Sequence, residues 1–249
     1  MPAHSLFTMW SKLVITIACL GVLEMNAQIN DAGLWTGVSL NSEVKKDFEL
    51  SFSPEFRLDE NLTRLSSYFM DIGSQYKLNK NLSFSAGYRI GGRNSGDFYN
   101  LRQRVQVGLT LKKKVKDFTL SWSPRWQGSI QGVGIENDGD FITTLRNRFK
   151  AVYGGIKKYE ISSSFEFFNS TSAYSPPYLQ NWRWILNLER DLKKGQSFSV
   201  GYLVQRDLTE SPMEMDFVFL LNYSIRMDIY KKKVEKKDEE KKSGGHDHN

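Results

Sequence analysis

The sequence predicts an all-β fold, a single antiparallel transmembrane β-barrel of about 10 to 12 strands, and three observations carry that prediction. From Phe48 onward apolar residues recur with a period of two: Phe48, Leu50, Phe52, Phe56 and Leu58 share one parity, and Glu49, Ser51, Ser53, Glu55 and Arg57 the other. The pattern returns in segment after segment of about ten residues split by turn residues, which is the signature of a membrane barrel. The connections alternate between tight and long, as when short turns gather on one rim of a barrel and loops on the other.

Eleven segments carry the pattern. Leu34 to Val44 and Phe48 to Leu58 open the series, and Leu65 to Leu78 sets Tyr68, Met70, Ile72, Tyr76 and Leu78 on one face. Leu82, Phe84, Ala86, Tyr88 and Ile90 follow, then Tyr99, Leu101, Val105, Val107, Leu109 and Leu111, then Phe118, Leu120, Trp122, Pro124 and Trp126. The rest span Phe141 to Tyr153, Tyr159 to Phe168, Leu179 to Asp191, Phe198 to Arg206 and Met215 to Ile229. Tight turns are expected at Asn79-Lys80-Asn81, around Gly154 to Lys158 and at Lys193-Lys194-Gly195, and long loops at Gly91 to Phe98, Gly128 to Asp140, Asn169 to Tyr178 and Asp207 to Glu214. With both ends in the periplasm an even strand number is expected, so eleven implies a hidden strand, a segment outside the wall or an end placed differently. Gln28 to Gly33 reach at most about 20 Å and cannot supply another crossing. Pro54 and Pro124, which cannot donate to a ladder, are expected at bulges or bends near a rim.

Alternation alone does not say which face looks outward, since a soluble barrel hides its apolar row and a membrane barrel displays it. The polar rows decide: they hold Ser, Gly, Gln, Thr and Arg rather than the dense Lys and Glu of a solvated surface. Aromatics recur towards strand ends on the other row, at Tyr76, Tyr99, Trp122, Trp126, Trp182, Trp184, Tyr223 and Tyr230. Rings with an apolar body and a polar handle favour the membrane interface. The alternatives are a soluble periplasmic β-barrel holding an apolar ligand and a β-sandwich with aromatics in its core.

The chain divides into a signal peptide at 1–27, a barrel at 28–230 and a charged, disordered tail at 231–249. Lys12, the apolar run Leu13 to Leu23 and Asn26-Ala27-Gln28 form the layout of a secretory signal cleaved after Ala27. Eleven apolar residues at about 1.5 Å each do not cross about 30 Å of hydrocarbon. Cys19, the only cysteine, would leave with the signal, and Thr16-Ile17-Ala18-Cys19 is a poor lipobox. The net charge of +6 sits in turn and tail lysines such as Lys45-Lys46, Lys112-Lys113-Lys114 and Lys193-Lys194. These solubilise strand ends, so outer-membrane lipid rather than nucleic acid is the expected partner.

No catalytic constellation is found. The histidines are His4, His246 and His248, all outside the barrel segments. Outer-membrane hydrolases of the serine and water mechanisms use an imidazole as base or orienter, so no enzymatic activity and no cofactor are expected. His246-Asp247-His248 could ligate a metal but sits in a solvated tail. One organised feature remains: Arg89, Arg102, Arg104, Arg125, Arg146 and Arg148 place cations on the inward parity of four consecutive segments. The inward carboxylates are Glu49, Glu55, Glu160, Glu166 and Glu189. Such a stripe makes an anion-attracting pore wall or, in a barrel with little room to spare, a lumen filled by arginine–carboxylate pairs.

The opening Leu34-Trp35-Thr36-Gly37-Val38-Ser39-Leu40, the hairpin Lys77 to Phe84 and the repeated Leu-Arg-X-Arg at Leu101 to Arg104 and Leu145 to Arg148 resemble the exported bacterial family called domain of unknown function 2490. The resemblance implies an outer-membrane barrel and carries no activity with it. The expectation is therefore an integral barrel of the Gram-negative outer membrane, serving as a narrow, porin-like pore or as a structural or interaction protein. An outer-membrane enzyme without a histidine base is the remaining alternative.

Overall fold

Alternating sequence with turn residues at each boundary folds into eleven strands: β1 (Asn30–Lys45), β2 (Phe48–Asp59), β3 (Arg64–Lys77), β4 (Leu82–Asn94), β5 (Tyr99–Val115), β6 (Phe118–Gln131), β7 (Asp140–Ile156), β8 (Tyr159–Ser170), β9 (Tyr178–Asp191), β10 (Gln196–Asp207) and β11 (Met215–Met227). The structure, a computed structural model, describes residues 30–131, 140–171, 178–209, 215–227 and 229–230. The signal peptide, the charged tail and His246-Asp247-His248 expected from the sequence lie outside the described residues. Each strand pairs antiparallel with the next, and the sheet closes into a barrel through β1 and β11.

The expected even strand number is not met. With every sequential pairing antiparallel, β1 and β11, both odd in the order, run in the same direction and close the barrel as a parallel pair. The side chains across that seam step together: Ser39 Oγ donates to Asn222 Oδ1 at 3.4 Å, and two residues on Asn41 Nδ2 donates to Ser224 Oγ at 3.3 Å. The start of β1 and the end of β11 consequently lie at opposite rims.

Turns after the odd strands are tight: residues 46–47, 78–81, 116–117, 157–158 and 192–195. Asp47, Lys116, Lys158 and Lys194 take left-handed backbone there (φ 61°, 53°, 67° and 61°), as tight hairpins require. Asn79 Oδ1 accepts from the Asn81 and Leu82 amides at 2.8 and 2.9 Å and braces the β3–β4 turn. The opposite rim carries 60–63 and 95–98 among the fully described connections. The long loop expected at Gly91 to Phe98 is shorter than the sequence suggested, because β4 continues through both glycines to Asn94. A Cβ on Gly92 would lie 2.8 Å from the Tyr68 ring, so this glycine makes room for an aromatic.

The prolines are also placed differently from expectation. Pro54 pairs with Met70 and Pro124 with Asn147 well inside their strands, while on their other sides the β1–β2 and β5–β6 pairings lapse at the prolines and resume in the same register. Each faces a glycine-bearing neighbour: Cβ atoms on Gly37 and Gly108 would lie 2.7 and 2.9 Å from the Pro54 and Pro124 carbonyl oxygens. Where proline withdraws a ladder donor, a strand without a Cβ packs against it, so no bulge is needed.

Burial is inverted relative to a soluble protein. Phe52, Phe56, Met70, Ile72, Val107, Phe149 and Phe219 are exposed, with Ile72 at 55%, whereas Ser67, Ser83, Ser123, Gln127, Ser162 and Ser164 are buried. A soluble barrel would face the first group inward. From Tyr68 on β3 to Leu78 just past its end the outward row rises by about 25 Å at the usual tilt, the height of a membrane-facing apolar band. Polar groups on this wall are satisfied locally, as a medium without water demands. Trp122 Nε1 donates to Asn147 Oδ1 at 3.2 Å, Tyr88 Oη to Gln103 Oε1 at 2.6 Å and Trp184 Nε1 to Ser163 Oγ at 3.1 Å. The wall is that of a transmembrane β-barrel.

Candidate functional site

Eleven strands spaced by about 4.8 Å and tilted by about 40° enclose roughly 20 Å between opposite backbones, so long side chains from facing walls meet near the axis. Parity aims Trp35 of β1, Arg57 of β2, Phe69 of β3, Arg89 of β4, Arg104 of β5, Arg146 of β7, Phe168 of β8 and Arg183 of β9 into this space. They form a belt in which Trp35, Phe69 and Phe168 stand between arginines on one part of the wall, while Arg89, Arg104 and Arg146 follow one another on the rest. The Arg89 guanidinium lies 4.6 Å from the Phe69 ring centre, and Arg57 lies 4.9 Å from Phe69 and 3.5 Å from Trp35. Arg183 lies 5.0 Å from both Trp35 and Phe168, and Arg146 5.1 Å from Phe168. Cation–π contacts strengthen when desolvated, so the rings hold the guanidinium groups at fixed heights on the wall.

Carboxylates lock the belt. Arg89 grips Asp71 through Nε and Nη2, with Nη2–Oδ2 at 2.6 Å, and Arg57 Nε donates to Glu55 at 2.5 Å. Glu166, 0% exposed, accepts from Arg146 Nη2 at 2.7 Å, with Arg183 Nη1 at 3.6 Å and Arg148 Nε at 4.0 Å. Arg183 also donates from Nε to Gln205 Oε1 at 3.0 Å. Arg125 Nη1 donates to Gln106 Oε1 at 3.3 Å. Arg102 Nε and Arg104 Nε are buried with no hydrogen-bond partner among the described residues.

The structure thus brings Arg89, Arg104 and Arg146 together around one cavity with Glu55. Arg148 and Glu166 stand beside it on paired strands. Glu49, Glu160 and Glu189 lie elsewhere, at the tight-turn rim: Glu49 and Glu160 just after the starts of β2 and β8, and Glu189 just before the end of β9. There Glu160 sits opposite Glu189, and Glu49 lies 3.8 Å from Lys77. Sequence reasoning omitted Arg57, Arg183 and the inward aromatics from the site. Trp35, Phe69 and Phe168 are apolar residues out of phase with their strands' outward rows, and that phase error is the signal that could have found them.

The cavity has a volume of about 370 Å³. Its lining combines arginines and aromatic rings with Asn187, Asn222 and Ser199 and with Ile185, Leu203 and Leu220. Among the described residues no group of three or more His, Cys, Asp or Glu side chains is placed to hold a metal. Guanidinium groups carry several N–H donors and no acceptor, so the belt can attract, bind and orient anions.

Fold, outward apolar wall and cationic lumen define an integral membrane barrel of the β class. The chain belongs to the family described as "Protein of unknown function (DUF2490)", whose sequence profile matches residues 32–215. No curated protein matches the chain. Among solved structures it is similar to a bacterial polysaccharide outer membrane secretin, with a TM-score of 0.45 and 8% identity over 66% of this chain and 60% of that one. It is also similar to Pseudomonas aeruginosa OccK8 (OprE), with a TM-score of 0.35 and 16% identity over 69% and 57%. For the β domain of the Bordetella autotransporter BrkA the TM-score is 0.42, with 8% identity over 71% and 83%. The chain spans less than two thirds of the secretin and OccK8 chains.

Proposed function

We propose that the protein is exported to the bacterial outer membrane by its cleaved N-terminal signal and forms there a narrow, anion-selective passage, with lipid as its surrounding partner and no enzymatic role. The observation that carries this reading is the charge imbalance of the belt. Arg57, Arg89, Arg104, Arg146 and Arg183 line the cavity, and the carboxylates paired with them are Glu55, Asp71 and Glu166. A water-filled constriction with low-dielectric walls and surplus cations concentrates anions. The tight turns and their lysines would face the periplasm, as short turns do in such barrels.

Carbonate extraction of membranes tests the location: retention in the pellet is expected, and release into the soluble fraction would refute it. Single-channel recording in planar bilayers tests the passage. Small conductances selective for chloride over potassium are expected, with selectivity reduced in Arg104→Ala combined with Arg146→Ala. Silent bilayers would favour the second reading, supported by the ion pairs of Arg89–Asp71 and Arg146–Glu166, in which the belt is a structural plug.

A further inference from the structure

We infer that the lumen cavity is a binding site for an amphiphilic organic anion, a carboxylate carrying an apolar body, rather than only a stretch of passage wall. The inference deepens the anion-attracting reading and rests on the same arginines, but it does not require conduction. Three observations point to it. The first is the buried Nε of Arg104, which lines the cavity and has no hydrogen-bond partner among the described residues. A buried donor left unmade is costly, and a guanidinium edge is shaped for a carboxylate. The second is the surplus of lining arginines over the carboxylates paired with them, which an incoming anion offsets.

The third observation selects the kind of anion. Ile185 of β9 and Leu220 of β11 point inward and are only half-buried, and the buried Leu203 of β10 stands opposite Ile185 on one side and Val218 on the other, with Leu220 opposite Gly201. Hydrated ions have no use for an aliphatic wall, and neighbouring inward positions on these strands are Asn187, Ser199 and Asn222. These aliphatic side chains line the same cavity as the arginines and the Trp35 and Phe168 rings, so it offers apolar surface as well as cations. Its volume of about 370 Å³ falls within the range of about 300–1,000 Å³ usual for small-molecule sites. The head would sit on Arg104 and the body against Ile185 and Leu220.

Isothermal titration of the full barrel in lipid nanodiscs with sodium octanoate, against empty nanodiscs, tests the site. Butyrate is the probe with a shortened body and octanol the probe without a charge. Saturable octanoate binding is expected, weakening about three- to fourfold for each methylene removed, with octanol at least tenfold weaker. Arg104→Gln should weaken octanoate at least tenfold, the usual worth of a charge-assisted hydrogen bond, while Arg190→Gln on the outer wall should not. Ile185→Asn, a second variant should Arg104→Gln fail the heat-modifiability test of folding, should flatten the dependence on chain length. Absence of saturable binding at millimolar octanoate, equal affinity for octanoate and butyrate, or indifference to Arg104→Gln would overturn the site. Anion-selective conductance without octanoate binding would reject the site and leave the passage standing; octanoate binding to a silent barrel would do the reverse.

Discussion

Glu166→Gln is the perturbation that most sharply probes how the belt is held. Glu166 is 0% exposed and faces Arg146 at 2.7 Å, Arg183 at 3.6 Å and Arg148 at 4.0 Å. At an effective dielectric near 20 the first two attractions amount to about 6 and 5 kcal/mol, and the desolvation of a fully covered carboxylate offsets several kcal/mol of that sum. Glutamine keeps the shape and one acceptor for Arg146 but leaves the guanidinium groups without their shared counter-charge. Removing one partner of a buried ion pair costs about 3–5 kcal/mol. The assay is urea unfolding of the barrel in lipid vesicles, followed by tryptophan emission. A loss of about 3 kcal/mol or more is expected, and Arg146→Met in the same chain should recover part of it by removing the orphaned charge. If the passage conducts, Glu166→Gln should also raise anion selectivity. A loss below about 1 kcal/mol would show that Glu166 is solvated and that the belt is not locked as described.

Two further predictions follow from the wall. Gly108→Val should destabilise the barrel by about 1–3 kcal/mol in the same unfolding assay, because its Cβ would sit 2.9 Å from the Pro124 carbonyl oxygen; Gly154→Ala, which meets nothing within 4 Å, should be tolerated. In a chain lacking Cys19, the pairs Asn41→Cys with Ser224→Cys and Ser39→Cys with Asn222→Cys should each form a disulfide on mild oxidation, read as a gel shift. Formation of only one would contradict the parallel seam.

The wall was legible in the sequence because each hairpin states its parity locally: Phe48, Leu50 and Phe52 against Glu49, Ser51 and Ser53 needs no knowledge of distant strands. The seam was not, since whether β1 meets β11 parallel depends on how the whole sheet closes. Three of the belt's eight residues were visible, as Arg89, Arg104 and Arg146 on β4, β5 and β7. Its aromatics were hidden by their chemistry: Trp35, Phe69 and Phe168 resemble wall residues until their phase is compared with Gly37, Asp71 and Glu166. On β9 to β11 both parities turn apolar, as in Ile185 beside Leu186 and Leu220 beside Leu221, so the alternation fades where the cavity's apolar side is built. Pro54 and Pro124 misled because their compensation lies on other strands, at Gly37 and Gly108.

The central claim is that one parity of these strands faces lipid and the other an arginine-lined lumen. Cysteine scanning of positions 70 to 75 on β3, each labelled with an environment-sensitive fluorophore and challenged with brominated lipid, measures this directly. Strong quenching at Met70, Ile72 and Ser74 and weak quenching at Asp71, Gly73 and Gln75 is the expected outcome. The opposite alternation, or none, would contradict it.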